Sequence, residues 1–245
     1  MELFIPSFPF SDWQKHFLQT KKCTLVNKNK IMPLCIDDYI KYNNDPNCIF
    51  INNIENIEML DNKSKFGKYM LTNFPENTPP IVFYHFDNDI YYNELLVTDN
   101  MIKKPNKGYA SIGIERITKF DKNEITNNII QTFIENEIYY SGHFLVLNGV
   151  ILQKIYFYSD YKSINGIKIG KIKNYKITEK LEIDDNIFDK IFSNLKYSGF
   201  VCPEFIIHNG KIIIFEINPR AGGSLVSNKI YLNLFLDKLI ESTIL

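Results

Sequence analysis

The stretch from Lys211 to Ser224, KIIIFEINPRAGGS, sets an acid, an amide and a guanidinium at alternate positions, Glu216, Asn218 and Arg220. Pro219 and a Gly222-Gly223 break end the apolar run that carries them. Side chains along a strand repeat with period two, so Glu216 and Asn218 point the same way and can meet one hard cation. Mg²⁺ takes oxygen ligands in an octahedral array and shares them with substrate phosphates, and Glu204 on the preceding apolar stretch offers a third oxygen ligand. Mn²⁺, which accepts the same oxygen donors, can substitute.

The turn His208-Asn209-Gly210 decides whether Glu204 takes part. An Asn-Gly pair forming a two-residue loop would set His208 opposite Lys211 and Glu204 opposite Phe215, turning Glu204 away from Glu216 and Asn218. Joint use of all three therefore predicts an odd-length turn, of three residues with Gly210 left-handed and a bulge. Failing that, a bulge elsewhere has to restore the register.

EINPRAGGS closely resembles the metal-binding signature of the ATP-grasp family, in which an acid on one strand and Glu-x-Asn-Pro-Arg on the next hold one or two Mg²⁺ on the phosphates of ATP. The resemblance implies metal ligands at Glu204, Glu216 and Asn218 and a phosphate or substrate contact at Arg220. Leu60-Asp61-Asn62-Lys63 is similar to the Asp-Lys opening of the family's nucleotide-binding unit, where the lysine approaches the phosphates. The segment 101–114, MIKKPNKGYASIGI, resembles the strand ending in Lys-Pro and the loop over the triphosphate, with fewer glycines than many members carry. It implies a phosphate contact at Lys104 and a loop holding Gly108 and Ser111. Backbone N–H groups of such a loop can meet anionic oxygens while a lysine supplies a point charge.

The segment 129–137, IIQTFIENE, is similar to the hinge that binds adenine, which implies nucleotide contacts at Gln131, at backbone groups of Thr132, Phe133 and Ile134, and at either Glu135 or Glu137 for the ribose. Many members carry an acid where Gln131 stands. Lys154, on the strand after the Asn148-Gly149 turn, either faces the phosphates or is a surface lysine. The blocks run collinear over residues 61–228. What they imply is an ATP-dependent ligase that phosphorylates a carboxylate to an acyl phosphate and joins it to an amine. Lys63, Lys104 and Arg220 would offset the opposing negative charges, with Lys104 and Arg220 nearest the chemistry. Two other readings stay open: an ATP-binding regulatory module without turnover, and a small-molecule kinase of the same fold. Segment 158–173, polar with Gly166 and Gly170, is the expected lid.

The elements that must position these residues follow from patterning. Strands are expected at 2–6, 23–26, 47–51, 81–85, 95–103, 111–119, 129–134, 139–147, 150–158, 200–207 and 211–218. Helices are expected at 12–18, from Asp37, and at 63–73, 185–196 and 230–240. This is an α+β pattern of antiparallel sheets. The resemblance makes it the ATP-grasp fold, two α+β subdomains at 61–134 and 135–245 gripping ATP between antiparallel sheets, preceded by a small α/β unit at 1–60.

Composition narrows the partners. With 28 basic against 28 acidic side chains the net charge is zero, so nucleic acid is not an expected partner. Cys23, Cys35, Cys48 and Cys202 form no CxxC pair, and no GxxxxGK loop is present. His16, His85, His143 and His208 are scattered. Apolar runs are too short to span a bilayer, and no signal-like start is seen, so the expectation is a cytoplasmic enzyme with small-molecule carboxylate and amine substrates. A homo-oligomer stays open.

Overall fold

The computed structural model describes residues 3–6, 11–24, 30–108, 112–121, 127–135, 138–160 and 175–244. The chain begins with β1 (Leu3–Phe4) and β2 (Cys23–Thr24), paired in parallel across α1 (Ser11–Gln19). Single bridges from Phe4 to Ile31 and from Ile31 to Cys48 continue that parallel layer, and α2 (Ile36–Tyr42) lies between them. The strand expected at 47–51 is not formed. Asp45 accepts from the Asn47 N–H through its side chain at 2.8 Å and from the Cys48 N–H through its carbonyl at 2.9 Å, which holds the backbone in a turn.

Two asparagines start the next helices. Asn53 caps α3 (Ile54–Asp61), which the patterning missed, by accepting from the Glu55 N–H. Asn62 caps α4 (Lys63–Asn73) by accepting from the N–H groups of Ser64 and Lys65. Lys63 thereby becomes the first residue of a helix, the position where unpaired N–H groups gather.

The first five-stranded sheet has the order β4-β3-β7-β5-β6, all pairs antiparallel, from β3 (Ile81–Phe86), β4 (Asp89–Tyr92), β5 (Met101–Pro105), β6 (Glu115–Ile117) and β7 (Asn128–Thr132). The strand expected from Leu95 starts only at Met101, because the Asn93 side chain accepts from the Leu95 N–H and starts a turn of 3₁₀ helix at Glu94–Leu96.

The second sheet has the order β10-β9-β8-β11-β12, again antiparallel, from β8 (Ile138–Leu147), β9 (Val150–Asp160), β10 (Lys176–Thr178), β11 (Gly199–His208) and β12 (Lys211–Asn218). Helix α5 (Asn186–Leu195) packs Phe188 and Phe192 on Phe144 of β8, and α6 (Gly223–Ser227) and α7 (Lys229–Ile244) close the chain. The architecture is α+β.

One continuous core joins Leu3, Phe17, Tyr39 and Phe50 of the first fifty residues to Phe144, Phe188, Phe200 and Phe235 around the second sheet. The first sheet has smaller clusters of its own, Val82, Phe83, Met101 and Ile130 on one side and Ile81, Tyr84 and Ile129 on the other. Among the described residues, no helix is long and apolar enough to cross a membrane.

Candidate functional site

The hairpin between β11 and β12 settles the register. His208 pairs with Lys211 across Asn209 and Gly210, which have φ of 50° and 73°. The loop is thus the two-residue kind, and the expected three-residue turn is not formed. The bulge lies elsewhere: Phe205 pairs with Ile214, yet Glu204 pairs with Glu216. Phe215 is the extra residue. Past it Cys202 pairs with Asn218, so Glu204, Glu216 and Asn218 share one face.

On the same face the neighbouring strand β8 places Ser141 opposite Glu204, where it donates to both carboxylate oxygens at 3.0 and 2.9 Å. The Asn218 amide donates to Glu216 Oε1 at 3.2 Å, and Arg220 Nη2 donates to Asn218 Oδ1 at 3.2 Å. After Arg220 the chain turns back over the sheet, and Gly222 comes so close to His143 and Cys202 that an added Cβ would lie 2.7 Å from Cys202 Sγ. His143, fully buried, meets Ser224 Oγ at 2.7 Å.

Two lysines reach this face from the other half of the molecule. Lys63 Nζ lies 3.0 Å from Glu216 Oε2 and donates to the Gly108 carbonyl at 3.5 Å. Its backbone N–H donates to the Asn106 carbonyl at 2.8 Å, and the buried Asn106 side chain bonds Ser64 and the His85 carbonyl, which ties the start of α4 to the first sheet. Lys104, on β5, is 8% exposed, with its ammonium 4.8 Å from the centroid of the Phe215 ring. The bulge thus aims Glu216 at the site and gives Lys104 an aromatic seat.

Burial holds the Lys104 ammonium down to about 8, against the pull of Glu216 and with a further push from Lys63. For Glu216 burial acts upward, but the Lys63 ion pair, Lys104 and the Asn218 amide outweigh it and keep the carboxyl below its ordinary value. Burial raises Asp61, which also feels Lys107, Arg220, Lys63 and Glu216. Asp61 and Phe215 belong to the site's electrostatics and were not singled out by sequence; the Asp61-Asn62-Lys63 run was the available signal for the first, and nothing in an apolar strand marks the second.

The hinge segment is continuous with this cleft. Ile102 and Lys104 oppose Gln131 and Ile129 on β7, so Gln131 lies on the face from which Lys104 crosses. Thr132 N–H donates to the Pro80 carbonyl and Phe133 N–H to the Asn100 carbonyl, both at 2.9 Å, which moves the backbone groups left for a base on toward Ile134. The Phe133 ring is covered by the Arg116 guanidinium at 4.5 Å, and Glu135 is exposed. Ser111, Glu137 and residues 161–173 of the expected lid lie outside the described residues.

Lys154 is not brought to the face of Glu204, Glu216 and Asn218. A bulge at Leu145/Val146 shifts β9 so that Lys154 opposes Phe144, on the helix-covered side, where it pairs with Asp185 at 2.7 Å. Tyr156 bonds the same carboxylate.

The donor set fits Mg²⁺ carried on phosphates. Among the described residues no three acids, histidines or cysteines come together. The cluster is two carboxylates and one amide oxygen, which leaves octahedral positions for phosphate and water. Lys63, seated against Glu216, stands where a cation is favoured.

A family model for the ATP-grasp domain matches residues 60–224. Among solved structures, the D-alanine–D-alanine ligase of Bacillus anthracis is similar at TM-score 0.56 and 15% identity, over 100% of this chain and 97% of that one. A D-cycloserine synthetase is similar at TM-score 0.60 and 10% identity over 98% of both chains. The phosphoribosylamine–glycine ligase of Thermotoga maritima is similar at TM-score 0.58 and 15% identity, over 96% of this chain and 66% of that one. No curated protein matches. At such identities the likeness of structures carries the fold alone. With a family match over more than half of its length, and with the two sheets and the bulged hairpin in place, the chain belongs to the ATP-grasp family.

Proposed function

We propose that the chain is an ATP-dependent ligase that phosphorylates a small-molecule carboxylate and joins the acyl group to an amine. The observation that carries this reading is the shared face of Glu204, Glu216 and Asn218, met from across the cleft by Lys63 and Lys104. In this reading residues 61–134 and 135–245 are the two gripping subdomains and 1–60 a small N-terminal unit. The similar solved structures named above are ligases and a synthetase, which supports the same class.

Glu204, Glu216 and Asn218 would hold Mg²⁺, or Mn²⁺ in its place, and the bound ion would neutralise phosphate charge and align the phosphoryl group. Lys63 and Lys104 would offset the remaining charge on the triphosphate, and Arg220, hydrogen-bonded to Asn218, would meet the reacting oxygens. A carboxylate oxygen attacks the terminal phosphorus and ADP leaves. The amine then attacks the acyl carbon and inorganic phosphate leaves. Ser141 keeps the Glu204 carboxylate in one orientation throughout.

The test is ADP release measured against pools of amino acids, sugar acids and amines. The reading predicts release that depends on an acid, with phosphate and an amide as products. Release without any acid, or a stable phosphorylated product indifferent to amines, would overturn it; the second outcome identifies a kinase.

A further inference from the structure

Two of the chain's three Asn-Gly pairs close hairpins among the described residues, Asn148-Gly149 between β8 and β9 and Asn209-Gly210 between β11 and β12. Their backbones match. The φ angles are 49° and 82° in the first and 50° and 73° in the second, and each loop is two residues long, with Leu147 paired to Val150 and His208 to Lys211. Both asparagines are exposed. What differs is the amide of the glycine that follows. The Gly149 N–H donates to the Tyr197 carbonyl at 2.8 Å, the Asn148 N–H donates to Ser198 Oγ at 2.8 Å, and an added Cβ on Gly149 would lie 2.9 Å from Ser193 Cα. That peptide group is pinned against the C-terminal end of α5. Gly210 is exposed, its N–H donates to no group among the described residues, and no atom lies within 4 Å of a Cβ placed there.

We propose that Asn209 is a modification site of the folded chain, open to spontaneous deamidation, and that Asn148, with the same dipeptide and the same turn, is protected from it. The reaction needs only water and base. The glycine nitrogen gives its proton to base and attacks the side-chain carbonyl carbon of the preceding asparagine, forming a C–N bond that closes a five-membered imide. The bond from that carbon to the side-chain nitrogen breaks, and the nitrogen takes a proton and leaves as ammonia. Water then opens the ring at either carbonyl, giving aspartate or isoaspartate, with nothing oxidised or reduced. The step therefore requires that the glycine N–H lose its proton and that its peptide plane swing toward the asparagine side chain. At Gly210 this disturbs an exposed turn alone. At Gly149 the proton is held by the Tyr197 carbonyl and the Ser193 backbone blocks the plane, so the hairpin must first open away from α5.

The full chain, folded in one sample and unfolded in guanidinium chloride in another, is kept in the same mildly alkaline buffer, digested with pepsin in acid, and read by tandem mass spectrometry at the peptides that carry the two asparagines. In the folded chain Asn209 should convert faster than Asn148 by on the order of ten- to a hundredfold, the cost of freeing one buried, hydrogen-bonded amide. In the unfolded chain the two should convert at similar rates, because the glycine amides then differ in nothing but sequence. Amide hydrogen exchange supplies a second readout, in which Gly210 should exchange freely and Gly149 should be protected with β8 and α5. Equal conversion of the two asparagines in the folded chain, an Asn209 that stays intact there while the unfolded chain converts, or the same ratio of rates folded as unfolded would overturn the inference. So would a Gly210 amide as protected as that of Gly149.

Discussion

At the scale of the residue, the site is an arrangement of charges that offset one another before any ligand arrives. Lys104 has an ordinary value of 10.5 and is held near 8 by burial. Its protonated form is thus costlier in the folded chain than in the unfolded one, so the ligand-free protein gains stability as pH rises from about 8 toward 10.5. Nucleotide binding should show the opposite trend, because the triphosphate requires the charged form. Affinity for Mg-ATP should fall by about tenfold per pH unit above pH 8, and Lys104→Met should flatten that limb; a flat wild-type profile from pH 7 to 9.5 would remove Lys104 from the site. Glu216, Asn218 and Arg220 were legible in sequence because their chemistry is carried by a compact run, EINPR. Lys154 was not. Continuing the register of its Asn148-Gly149 turn would set it opposite His143 on the site face, and only the Leu145/Val146 bulge sends it to Asp185. A one-residue slip reverses every side chain beyond it, and no residue type announces it.

At the scale of the element, two hairpins with the same Asn-Gly loop end in opposite outcomes for the lysine and the glutamate they carry. In each the turn obeys its local chemistry and the bulge decides which face the side chain takes. The expected bulge between β11 and β12 was inferred from the demand that three ligands share a face; its location was not, since Phe215 reads as one more apolar strand residue. Helices α3, α6 and strands β4 and β10 were missed because each is short, and their shape is fixed by caps and neighbours more than by periodicity. Gly210 isolates the turn's own contribution. No atom lies within 4 Å of a Cβ placed there, so Gly210→Ala meets only the left-handed φ of 73°. It should cost about 1–2 kcal/mol in urea denaturation with nucleotide affinity unchanged. A loss of affinity would mean that the loop, and not the bulge, sets the register of Glu216.

At the scale of the molecule, the opening residues are built into the second half of the chain. Phe50 stacks edge-on against Phe200 at 6.1 Å, Phe17 meets the same ring at 6.5 Å, and Asn52 exchanges 2.7 and 2.8 Å hydrogen bonds with Ser198. Phe50→Ala should cost about 3–5 kcal/mol and lower hydrogen-exchange protection in β11 as well as in 30–52. Loss confined to 30–52 would show an independent unit. On that frame the two sheets meet through Lys63, Lys104, Phe215 and Glu216, and the central claim is that this junction holds a magnesium nucleotide. Calorimetric titration of ATP into the wild type and into Glu216→Gln, with circular dichroism as the control for folding, tests it directly. The account predicts wild-type binding that requires Mg²⁺ and a loss of about 3 kcal/mol, on the order of a hundredfold, in the folded variant. Equal affinity in the two proteins, or binding indifferent to Mg²⁺, would contradict it.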